Sequence, residues 1–194
     1  MKLHIGHARL PARPLPRFAT DRIRYALPLA HADLAPTRGW LLLGAFALVA
    51  SGLFSLLLVL ARTPYLQKIV PGIDLFHTAL VVHVDLSVLV WFFAIGGALW
   101  SIGSGARATG WRRAGLAIAT AGAALIVLAP FGGGEPIMAN YIPVLDSPLF
   151  LSGLAVFGVG VGITVVTALA APGHVGPALD GAGALRAGLN AAAL

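Results

Sequence analysis

Residues 75–102 read LFHTALVVHVDLSVLVWFFAIGGALWSI, a long apolar run interrupted by only three ionisable side chains: His77, His83 and Asp85. A helix needs about 20 mainly apolar residues to cross the hydrocarbon of a bilayer, and this stretch exceeds that length. A single open strand in lipid leaves its backbone N–H and C=O groups unsatisfied, so a helix is the conformation expected here. Three further stretches read the same way. Residues 40–61 (WLLLGAFALVASGLFSLLLVLA) carry no charge, residues 114–131 are short, rich in alanine and glycine and close on Pro130, and residues 149–171 are again uncharged. The expected fold class is therefore all-α, a polytopic membrane protein of four transmembrane helices.

Composition agrees. Of 194 residues, 58% are hydrophobic and 10% charged, against about 45–50% and 25% in an ordinary soluble domain. That apolar content excludes a disordered chain. With no cysteine, disulfide frameworks, thiolate metal sites, iron–sulfur clusters and cysteine nucleophiles are all excluded. The formal net charge of +6 does not indicate a nucleic-acid partner, because the basic residues flank the spans. Seven lie before the first span (Lys2, Arg9, Arg13, Arg17, Arg22, Arg24, Arg38), three follow the second (Arg107, Arg112, Arg113) and one follows the fourth (Arg186). Only Arg62 and Lys68 fall on the other side. Lysine and arginine collect on the cytoplasmic side of membrane proteins, so both termini are expected inside.

Outside the spans, residues 1–39 form a Pro/Arg-rich segment with no apolar core of the signal-peptide kind, expected as a cytoplasmic tail. Residues 172–194 end in AGLNAAAL and read as a cytoplasmic segment leading into the first turn of a cut-off fifth helix. The run FGVGVGIT at 157–164 lacks the lysine and preceding strand of a phosphate loop. Gly158 and Gly162 are expected instead to let two helices approach closely. Gly132–Gly134 read as a flexible turn, and Trp40, Trp100 and Trp111 as anchors near the ends of spans.

The second span is where chemistry is expected. Ionisable residues at bilayer depth cost about 2.5–3.5 kcal/mol for a central aspartate and usually mark a functional path or a paired site. His77 and His83 stand about 120° apart around the helix and about 9 Å apart along it, so they cannot ligate one metal together. His83 lies about 12 Å below Leu75, whereas His77 is within about one turn of the helix start. A lone membrane histidine can be an axial ligand to haem iron, a hydrogen-bond donor between helices or a member of a proton relay. His83 is the stronger candidate for the haem iron and His77 the weaker. A six-coordinate haem needs a second ligand at matching depth. His4, His7, His31, His174, Met1 and Met138 do not offer one. The partner ligand is then expected from another chain or from beyond residue 194.

FHTALVVHVDLSVLVWFFAIGGALWS (76–101) together with ANYIPVLDSPLF (139–150) resembles subunit I of haem–copper oxidases, in the bacterial, nitric oxide reductase-like branch of cytochrome c oxidase subunit I sequences. The resemblance covers about residues 38–172, which correspond to the first four of that family's usual twelve or more helices. It implies that His83 is an axial ligand of a low-spin haem whose second ligand lies on a much later helix, with Trp91 in the pocket wall. Copper and the second, oxygen-reducing haem would be held by later helices that this sequence does not contain, so no catalytic residue is expected here. The implied setting is a bacterial plasma membrane, with cytochrome c or quinol as electron donor and the remaining helices of subunit I, or another membrane subunit, as partners. Two other readings stay open: a non-enzymatic four-helix subunit binding haem with a partner chain, and a small proton-coupled transporter using Asp85 and His83.

Overall fold

The structure is a computed structural model that describes residues 34–64, 74–138 and 143–171. The tail before residue 34 and the segment 172–194, with its expected fifth helix, lie outside the described residues. Among the described residues four helices are long and apolar enough to cross a membrane, as expected: α1 (Ala35–Ala61), α2 (Leu75–Gly103), α3 (Thr109–Leu128) and α4 (Pro148–Ala170). Between α3 and α4 a two-stranded antiparallel hairpin, β1 (Glu135–Ile137) and β2 (Val144–Asp146), pairs Pro136 with Leu145.

Local chemistry sets the ends. Pro36 sits in the first turn of α1 and Pro148 in that of α4, where a missing N–H costs nothing. Ser147 caps α4 by accepting from the Phe150 N–H, and Asp74 caps α2 by accepting from the His77 N–H. α1 starts at Ala35 rather than at Trp40, and α3 at Thr109 rather than Ala114. Both expected starts excluded arginines, yet helical backbone continues past the apolar stretch. Arg112, expected in a loop, lies within α3 and is buried, donating to the Ser101 carbonyl at 2.7 Å and to Thr109 Oγ1 at 2.9 Å. It thereby satisfies a carbonyl at the C-terminal end of α2, which has no partner within its own helix.

Successive helices run antiparallel. The Gly105 N–H donates to the Ala171 carbonyl at 2.8 Å, which joins the α2–α3 turn to the end of α4. This is the arginine end of the bundle, and the hairpin closes the opposite end. Gly133 and Gly134 take φ of 80° and 133° there, a conformation that side chains disfavour, so they form the turn that was expected.

α3 and α4 make the closest helix–helix approach, but not through the glycines expected. A Cβ on Gly158 or Gly162 would meet nothing within 4 Å. The approach is made by Gly115 and Gly122 against Gly160 and Gly153. A Cβ on Gly115 would lie 2.9 Å from the Gly160 carbonyl oxygen, and one on Gly122 would lie 2.8 Å from the Gly153 carbonyl oxygen. Seven residues separate the glycines in each helix, two turns, so they repeat on one face. Trp40 and Trp100 also depart from expectation. Both are buried rather than interfacial, and Trp40 lies over Gly97, whose missing side chain leaves room for the indole. Trp111 alone of the three is exposed.

The outer surface of α1 presents Leu42, Phe46, Val49, Leu53, Leu56 and Leu60 in one exposed stripe. At 27 residues this helix is about 40 Å long, enough to cross the hydrocarbon with some tilt.

Candidate functional site

His83 lies at the α1–α2 interface, and the residue opposite it is Ser51 of α1. The imidazole Nδ1 is 2.9 Å from the Ser51 backbone carbonyl and 2.9 Å from Ser51 Oγ. A carbonyl can only accept, so Nδ1 is the donor nitrogen, and in the neutral imidazole the lone pair sits on Nε2. The same serine hydroxyl donates back to the His83 carbonyl at 2.9 Å, and Ser87 Oγ donates to that carbonyl at 2.7 Å. His83 is half-buried, and its backbone, ring plane and tautomer are all held by α1. This is the outer-shell pattern of metal-binding histidines, in which one ring nitrogen donates to a carbonyl and the other is left for the metal. Among the described residues no group of three or more His, Cys, Asp or Glu could hold a metal ion. At this site the described residues thus offer one imidazole nitrogen, Nε2, rather than a multidentate set.

Immediately below His83 the helix changes pitch. Residues Asp85–Val90 form a π-helical turn between two α-helical parts, Leu75–Val84 and Trp91–Gly103. Such turns cluster at functional sites and add the equivalent of one residue to an α-helix. In a regular helix Trp91 would stand about 80° from His83; the extra residue brings it to within about 20°. Trp91 accordingly packs toward α1, where a Cβ on Gly44 would lie 3.7 Å from its ring. His83 and Trp91 thus share the α1 side, about 12 Å apart along the axis.

The other two ionisable residues separate from this pair. Asp85 is fully buried, and its Oδ2 has no hydrogen-bond partner among the described residues. His77 stays at the exposed start of α2, with Nδ1 2.6 Å from Asp74 Oδ2 and its ring edge-on to Phe76. Arg62, at the end of α1, lies 4.6 Å above the Phe76 ring. Partial burial pushes the Asp74 carboxyl upward, but the His77 N–H, its ring and its charge outweigh this and hold the carboxyl below its ordinary value. His77 has found its partner on its own helix end and is remote from His83.

Ser51 is the site residue that sequence reasoning missed. Its only signal was a hydroxyl in an otherwise apolar span, and Ser55 gives the same signal one turn later.

No family model matches the chain, and no solved structure does. The chain is 31% identical over 146 residues to an uncharacterized protein of Rickettsia prowazekii, covering 62% of this chain and 28% of that protein. It is 32% identical over 125 residues to an uncharacterized protein of Aquifex aeolicus, covering 63% of this chain and 31% of that protein. The chain thus spans less than a third of the length of either relative.

Proposed function

We propose that this four-helix segment belongs to the catalytic subunit of a respiratory haem–copper oxidase in a bacterial plasma membrane, where His83 provides one axial ligand to a low-spin haem. The observation that carries this reading is the Ser51–His83 arrangement, which fixes the tautomer with Nε2 free at membrane depth. Bound there, haem would supply one-electron transfer toward the oxygen-reducing centre. The chain's own contributions are narrower. The Ser51 carbonyl holds the Nδ1 proton and makes the imidazole a stronger donor, the hydroxyls of Ser51 and Ser87 fix the backbone at His83, and Trp91 provides apolar wall on the same side. The second axial ligand, copper and the second haem belong to the remainder of a longer protein, consistent with the greater length of both relatives. Cytochrome c or quinol is the electron donor in this reading.

The test is a reduced-minus-oxidised optical spectrum of the complete protein in native membranes. His83→Ala should abolish the low-spin haem band, while His77→Ala should leave it, since that ring is committed to Asp74. Retention of the band in His83→Ala would remove haem from this helix. It would turn attention to the transporter reading, in which the buried carboxyl of Asp85 carries the function.

A further inference from the structure

Independently of haem, the arginine end of the bundle carries a groove of about 560 Å³ on its outer surface. One wall is the turn into α3 with Arg107 and Trp111; the other is the last part of α4 with Gly162, Val166 and Ala170. The α4 residues recur every fourth position, so the groove follows the helix for about 12 Å. Gly162 is central to it. Nothing stands within 4 Å of where its Cβ would be, so this glycine keeps a slot open rather than bringing two helices together. The walls are nearly all apolar, and the polar groups collect at one end. Trp111 is 67% exposed there and Arg107 is exposed beside it.

We propose that this groove binds an anionic phospholipid, with one acyl chain along Gly162–Val166–Ala170 and the phosphate at Arg107. Charge selects this occupant. Among the described residues, the arginine end holds Arg38, Arg107, Arg112 and Arg113 and no carboxylate. Asp74, Glu135 and Asp146 lie at the hairpin end, and Asp85 lies within α2. An apolar helix seated in the groove would leave Arg107 without a counter-ion, whereas a phosphodiester supplies one at the level where tryptophan and arginine meet headgroups.

The experiment exchanges the full chain, purified from native membranes in mild detergent, with phosphatidylglycerol or phosphatidylcholine of identical acyl chains. Retained lipid is read by native mass spectrometry. The wild type should keep phosphatidylglycerol under activation that strips phosphatidylcholine. Gly162→Leu, whose side chain enters open space, should lose retention of both lipids with unchanged helix content. Val166→Phe, which narrows the same slot, should do likewise should the leucine variant fold poorly. Arg107→Gln should keep lipid but lose the preference for phosphatidylglycerol. Equal retention of the two lipids by the wild type would overturn the proposal, as would undiminished phosphatidylglycerol in both groove variants. So would a photo-crosslinker at Ala170 that captures a protein segment instead of lipid. None of these variants touches the α1–α2 interface, so the low-spin haem band reports separately on the functional reading.

Discussion

The α3–α4 interface is packed through its glycines, whereas the α1–α2 interface adds a polar knot to its apolar packing. Between α3 and α4, Gly115, Gly122, Gly153 and Gly160 remove side chains so that backbones meet directly. In lipid, where no hydrophobic force draws helices together, such close van der Waals contact is a principal source of association. Between α1 and α2 an apolar contact, in which Trp40 covers Gly97 and Gly44 faces Ala94, also holds a polar knot, with Ser51 bonded to both the ring and the carbonyl of His83. Half-burial of His83 and a π turn beginning at Asp85 add irregularity that tight packing alone does not require. One interface is built for stability. The other keeps an imidazole fixed by one nitrogen with its second nitrogen free.

The largest effect should come from breaking the glycine interface. Gly160→Leu drives a side chain into the Ala119 backbone and should cost about 3 kcal/mol, read as lost folded protein or a collapsed unfolding temperature in detergent. Gly158→Leu, in open space, should stay within about 0.5 kcal/mol of wild type. Equal damage from both would show that the heptad face is not what joins these helices.

This contrast marks how far the sequence could be read. The four spans and their antiparallel order follow from apolar length and from charge placement, which act along the chain. Which glycines meet does not. Gly158 and Gly162 fit the small-xxx-small spacing, but the spacing that packs is seven, matched on two helices, and a matched pair is visible only once both helices are placed. The buried Trp40 and Arg112 were misplaced for a related reason, because position near a span end does not reveal which face turns inward. His83 stood out as a candidate because a histidine at that depth needs an explanation. Ser51 did not, because its role depends on register between α1 and α2.

A smaller effect should sharpen the polar side of the contrast. Ser51→Ala removes the hydroxyl but leaves the backbone carbonyl that accepts from Nδ1. It should cost about 1 kcal/mol of stability, keep the haem band and shift only its midpoint potential. Complete loss of the band would mean that the hydroxyl, rather than the carbonyl, holds the ring. The smallest effect belongs to the exposed cap of α2. Asp74→Ala should cost about 0.5 kcal/mol at neutral pH, a low value because the carboxylate is half-exposed. The Asp74 carboxyl is held below its ordinary value in the folded protein, so its contribution is present above the carboxylate range and is lost as pH falls through it. Unfolding temperatures of wild type and variant should therefore converge in acid; a difference that persists there would exclude the charged cap.

The most direct measurement replaces the imidazole and returns it. In the complete protein, His83→Gly should eliminate the low-spin haem band from the reduced-minus-oxidised spectrum of native membranes, and added imidazole should restore it by entering the space the side chain left. An unchanged band in His83→Gly without imidazole would contradict the assignment of His83 as the ligand.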